Sequence, residues 1–167
     1  MTSIEAIPAL RDNYIWAIHD GRHVAFIDPG DGDAIVAWLD HHRMRPVALL
    51  VTHHHADHCA AAAELRRRYA IPAWGPAEAG DAVDRVLHGG ETLVLPELDV
   101  RFEVLATPGH TLGHLTYHGE GALFCGDTLF SCGCGRLFEG HPATMHASLT
   151  RLSQLPGDTG VYCAHEY

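Results

Sequence analysis

The sequence holds no run approaching the ~20 apolar residues that a membrane-spanning helix needs, so a helical span is excluded. Its opening, MTSIEAIPALRDNY, has neither a basic leader nor a continuous apolar segment, and no secretory signal is expected. Cysteine is scarce: Cys59, Cys125, Cys132, Cys134 and Cys163 are an odd set without a C-x-x-C pair, which argues against a disulfide framework and for reduced thiols in the cytosol. Basic residues are outnumbered, 11 Lys and Arg against 21 Asp and Glu. The resulting charge of −10 repels phosphate backbones, so neither nucleic acid nor a membrane surface is expected as a partner. Internal repeats, low-complexity tracts and linker-like stretches are absent as well, and residues 1–167 read as one catalytic domain.

What is present is a 47 % apolar chain with an α/β order of elements. NYIWAIH (13–19) and RHVAFID (22–28) read as strands joined at Asp20-Gly21, a dipeptide suited to a tight hairpin. AIVAWLDHHRM (34–44) has Ile35, Trp38 and Leu39 at helical spacing, with Asp33 as the expected cap. PVALLVT (46–52) reads as a buried strand and CAAAAELRRRY (59–69) as a helix rich in strong helix formers. Further strands are expected at 99–107, 114–118, 121–127 and 161–167, and a helix at 143–152.

Acidic and imidazole residues recur just past the strand-like runs. His53 follows PVALLVT, His110 follows VLAT through Pro108-Gly109, Asp127 follows ALFCG, and His165 follows VYCA. Ligands in α/β folds gather at the carboxyl ends of strands, where loops converge on a rigid sheet. If Thr52–His55 stays extended, His53 and His55 share one side and His54 faces the other. Asp57 and His58 then lie past a turn, facing a second centre. The arrangement expected has His53, His55 and His110 on one divalent metal, Asp57, His58 and His165 on another, and Asp127 bridging both. Imidazole and carboxylate suit zinc, iron or manganese. Two ions about 3.5 to 4 Å apart lower the pKa of a shared water and polarise a carbonyl, so hydrolysis follows, with Asp57 and Asp127 as the catalytic carboxylates. His114, four residues after His110, is a candidate to hold a ligand's ring from outside. The remaining histidines, His19, His23, His41, His42, His88, His118, His141 and His146, follow no ligand pattern and read as surface or structural, as Arg66–Arg68 read as a solvated helix face.

THHHADH is an H-x-H-x-D-H motif, and with TPGHTLGH (107–114), GDTLF (126–130), CGRLFEG (134–140), AHEY (164–167) and IPALRDNY (7–14) it resembles glyoxalase II, the hydroxyacylglutathione hydrolases of the metallo-β-lactamase fold, nearly end to end. The resemblance implies a four-layer αββα sandwich, two metal ions with zinc foremost, and hydrolysis of the glutathione thioester S-D-lactoylglutathione to D-lactate and glutathione. It places the metal ligands on the seven residues already named. Arg136 matches a basic residue that would hold a glycine carboxylate. Phe138 stands where the family has a tyrosine, able to pack but not to donate, while Tyr167 matches the tyrosine of HEY.

The family continues past HEY into a helical domain with further basic contacts to glutathione, so the sequence reads as a fragment ending at that motif, a monomer or weakly self-associating through a bared apolar face. Two other activities compete: a mononuclear iron persulfide dioxygenase on the same fold, and a metal-binding domain with little turnover. Secreted β-lactamases are disfavoured because their pattern lacks a counterpart of His58 together with a bridging aspartate such as Asp127.

Overall fold

In the computed structural model, which describes residues 2–167, β1 (Ser3–Ala9) folds back antiparallel on β2 (Asn13–His19), and β2 turns into β3 (His23–Ile27). That second turn is made as its chemistry favours: Gly21 takes a φ of 88°, and Asp20 Oδ1 accepts the N–H groups of Arg22 and His23 at 2.7 and 2.6 Å. Helix α1 (Gly32–His42) then crosses to β4 (Arg45–Leu50), parallel to β3. Helices α2 (Ala56–Cys59) and α3 (Ala62–Tyr69) lead to β5 (Ala73–Pro76), and a 3₁₀ segment (Ala77–Ala82) leads to β6 (Arg85–Leu87). These six strands form one sheet in sequence order.

The second sheet contains β7 (Thr92–Leu95), β8 (Val100–Ala106), β9 (Leu115–Gly119) and β10 (Ala122–Gly126), antiparallel in turn, followed by α4 (Pro142–Leu152) and by β11 (Gly160–Cys163), parallel to β10. Side chains in strands alternate between faces. One set of each sheet therefore meets in the middle, with Ile27, Leu50, Phe102, Tyr117 and Phe124 all at most 1 % exposed. The other face of the first sheet packs on α1 and α3 through Phe26, Ile35, Trp38 and Leu65; that of the second packs on α4 through Leu123, Cys125 and Leu152. The layers are thus αββα, the sandwich expected. Each large apolar side chain so buried contributes roughly 1.5–3 kcal/mol. Among the described residues no helix is long and apolar enough to cross a membrane.

Several local expectations are corrected. Asp31, not Asp33, caps α1: its backbone is extended and its carboxylate accepts Ala34 N–H at 3.1 Å, while Asp33 sits inside the first turn. The run 59–69 is two helices rather than one, broken at Ala60–Ala61, and Cys59 ends the first instead of starting the second. Residues 52–54 are a bend rather than an extended strand, and β11 stops at Cys163 instead of running to 167. Strands β1, β5, β6 and β7 were not expected; Pro8, Gly75 and Pro76 mask the strand character of the first two.

Candidate metal centre

The site lies where β4, β8, β10 and β11 end. Past β4, Thr52 is fully buried and anchors the bend: its N–H and hydroxyl both donate to Asp28, at 2.8 and 2.9 Å, and its carbonyl accepts Leu115 N–H from the other sheet at 2.8 Å. The bend turns His53 and His55 inward and His54 away, where its ring lies 3.3 Å from Glu78 and 3.5 Å from Glu139. Helix α2 presents Asp57 and His58, and Gly30 lets it approach, because a Cβ there would lie 1.8 Å from Asp57 O. Gly135 does the same for the loop over Asp127 and His110, where a Cβ would meet Asp127 O at 2.2 Å.

All seven residues singled out as ligands meet here, in overlapping groups: His53, His55, His110; His53, His58, Asp127; and Asp57, His58, His165, with the donor atoms of each group within 4.8 Å of one another. In the first, His55 Nδ1 lies 3.1 Å from His53 Nε2 and 2.9 Å from His110 Nε2. Around the second, His58 Nε2 is 3.3 Å from Asp57 Oδ2, His165 Nε2 and Asp127 Oδ1. His165 Nε2 lies 3.4 Å from Asp57 Oδ2 and 3.3 Å from Asp127 Oδ1. The other oxygen of Asp127 turns to the first group, 3.3 Å from His110 Nε2.

Two observations show that this donor set fits two ions. Corners of a tetrahedron with edges of that length lie about 2.0 Å from its centre, the usual bond length from zinc to nitrogen or carboxylate oxygen. Asp127 Oδ1, buried and close to two imidazoles, has no hydrogen bond, an orphan that a cation would satisfy. The outward nitrogens of four of these histidines are already engaged, which turns their other nitrogens toward the donor groups. His53 Nδ1 donates to Thr52 Oγ1 at 3.0 Å, His58 Nδ1 to Asp28 Oδ2 at 3.0 Å, His110 Nδ1 to Arg136 O at 2.6 Å and His165 Nδ1 to Asp12 Oδ1 at 3.1 Å.

Charge separates the two groups. Burial lowers the pKa of His53 and of His55, aided by neighbouring imidazoles. Burial also opposes charge on His58 and His165, yet the carboxylates around them win and raise both to about 10: Asp28, Asp57 and Asp127 for the first, Asp127, Asp57 and Asp12 for the second. Hydrogen bonds from His165 and His58 hold Asp57 far below the ordinary range, and Asp127 stays low against its burial. The carboxylates around His58 and His165 thus favour positive charge there.

His114 is no part of either group. It stacks on His53 with ring centres 4.9 Å apart, and its Nε2 accepts Asp127 N–H at 3.2 Å. Burial lowers its pKa to about 3, so it is a neutral wedge between the two. Asp28, Asp12 and Asn13 had not been singled out, although Asp28 obeys the same rule as the ligands by following β3 directly.

A cavity of about 520 Å³ opens over Asp57 and Asp127, and Arg136, Phe138 and Tyr167 line it. Phe138, 59 % exposed, sets its edge against His55 and His110, and the Arg136 guanidinium lies 5.8 Å from its ring. Tyr167 stacks on His165. Cys132 and Cys134 are exposed, free thiols of the adjoining loop.

Residues 10–165 match the family described as the metallo-beta-lactamase superfamily. The chain is 49 % identical over 168 residues to the hydroxyacylglutathione hydrolase of Nitrosomonas eutropha, covering 100 % of this chain and 66 % of that one. It is 50 % identical over 170 residues to the same-named protein of Halorhodospira halophila, again covering 100 % and 66 %. It spans 64–66 % of the length of the Nitrosomonas and Thiobacillus relatives that it matches. Among solved structures, BLEG-1 B3 metallo-beta-lactamase superposes with a TM-score of 0.87 at 28 % identity, covering 99 % of this chain and 92 % of that one. TTHA1623 in a di-iron-bound form superposes at 0.80, with 28 % identity and the same coverage.

Proposed function

Since the chain belongs to the metallo-beta-lactamase superfamily and, within it, to the hydroxyacylglutathione hydrolase family, we propose that it hydrolyses 2-hydroxyacylglutathione thioesters, S-D-lactoylglutathione foremost, to D-lactate and glutathione. The observation that carries the hydrolytic reading is Asp127, whose two oxygens face the two donor groups across the floor of an open cavity. Two divalent ions held there, zinc by preference and iron or manganese by the same donors, supply a water ionised near neutral pH and a Lewis acid for the thioester carbonyl.

The chain's own residues supply the rest. His53, His55 and His110 would hold one ion and Asp57, His58 and His165 the other, with Asp127 available to both. Asp57, the more exposed of the two carboxylates, lines the cavity and orients the attacking water. Arg136 receives the glycine carboxylate in two hydrogen bonds, Phe138 packs against the thiol portion, and the Tyr167 hydroxyl donates at the rim. The free thiols and the charge of −10 support a cytosolic, small-molecule role.

The test is thioester loss from S-D-lactoylglutathione with metal-loaded protein. Turnover that Asp127→Ala lowers by more than about 100-fold is expected. No turnover with both ions bound overturns the substrate assignment, and oxygen uptake on glutathione persulfide with a single iron replaces it by the dioxygenase reading.

A further inference from the structure

Four residues join the β1–β2 turn to the segment after β11. Tyr14 N–H donates to Ala164 O at 2.7 Å, Glu166 N–H to Asp12 O at 3.1 Å, and the Tyr14 hydroxyl to the Glu166 carboxylate. Within this frame two adjacent side chains, Asp12 at the end of the turn and Asn13 at the start of β2, each reach one ligand of the second group. Asp12 Oδ1 accepts His165 Nδ1–H at 3.1 Å. Asn13, 7 % exposed, donates from Nδ2 to Asp57 Oδ2 at 3.0 Å, the same oxygen that lies 3.3 Å from His58 and 3.4 Å from His165. The outer contacts of the first group are elsewhere: Thr52 for His53 and the Arg136 carbonyl for His110.

We propose that Asp12 and Asn13 are positioning residues for the second metal alone, so that the β1–β2 turn sets how tightly this ion is held while the first ion is held independently. The inference rests on the two-ion reading. Physically, a side chain already held by a hydrogen bond loses less freedom on binding: His165 is held at its far nitrogen, and Asp57 through a further lone pair of the oxygen that faces His58 and His165. Asp57 and His165 otherwise come from separate elements of the chain, and Asp12 and Asn13 are adjacent residues that hydrogen-bond one each.

Linkage makes the effect reciprocal: the second ion steadies residues 164–166 on the turn by the amount that the turn steadies the ion. Asp12→Ala is a clean probe, because both backbone bonds between the turn and the 164–166 segment survive it. Asp12→Asn keeps an acceptor for His165 and serves as the conservative control.

Metal-free protein titrated with Zn²⁺ alone against a chromophoric chelator, with bound zinc counted by elemental analysis, separates the possibilities. Wild type is expected to take two equivalents. Asn13→Ala and Asp12→Ala are expected to keep one tight equivalent and to bind the other about 10- to 100-fold more weakly, with Asp12→Asn near wild type. Hydrogen exchange at 164–166 should rise on removing the second equivalent from wild type and be already high in Asn13→Ala. Two equivalents at wild-type affinity in both alanine variants overturn the inference, as does equal weakening of both ions. Asp12→Asn behaving like Asp12→Ala overturns the role of the acceptor. A wild type that takes one equivalent only overturns the two-ion reading itself, and this inference with it.

Discussion

The first donor group leans on neutral dipoles, the hydroxyl of Thr52 and the carbonyl of Arg136, whereas the second leans on the carboxylates of Asp28 and Asp12 and on the Asn13 amide. The outcome is that burial keeps His53 and His55 neutral, while carboxylates hold protons on His58 and His165 up to about 10. One fold thus surrounds adjacent imidazoles with opposite electrostatics. Walled by carboxylates, the second group attracts positive charge more strongly than the first.

The difference can be broken most severely at Asp127, the residue common to both groups. Asp127→Ala is expected to lower thioester hydrolysis by more than about 100-fold, beyond the range of losses from outer contacts, with elemental analysis showing weaker retention of both ions. Next in size, His53→Ala and His58→Ala should each cost one equivalent, but not the same one. Cobalt substitution, read by its visible spectrum, distinguishes them, and identical spectra would contradict two separate groups. Asp28→Ala sharpens the contrast at a distance. His58 loses its partner outright while His53 keeps Thr52, so the second ion should weaken about 10- to 100-fold and the first less, measured by chelator competition. The smallest effect is expected at Arg136, whose side chain faces the cavity while its backbone carbonyl holds His110. Arg136→Ala keeps that carbonyl and should leave metal content intact, raising KM about tenfold for loss of one charge-assisted contact of roughly 1.5 kcal/mol. A fall in zinc content would show that the loop itself had moved.

Much of the sandwich was legible because amphipathic strands and helices declare themselves by period. Trp38 and Leu39 mark α1, and the alternation of β8 marks a half-buried strand. The ends of β4, β8 and β10 were legible to within two residues, and with them the positions of His53, His110 and Asp127, whereas β11 stops at Cys163, short of the strand expected to reach 167. Short strands rich in glycine or proline were not, since β5 gains its strand character only from neighbours on both sides. The convergence of His53 and His55 was expected from an extended segment and is delivered by a bend, because Thr52 is tied to Asp28 before the chain reaches His53.

By itself the sequence singled out the imidazole and carboxylate side chains that the fold brings together, since such groups just past apolar runs define both donor type and location. Tertiary structure alone decided how those side chains are held. His58 meets Asp28 across 30 positions, Asp57 meets Asn13 across 44, and His165 meets Asp12 across 153, separations that leave no local pattern to read. Only folding brings such groups within 3.1 Å, and in a water-poor site those contacts fix which ring nitrogen is free and how much charge the site demands.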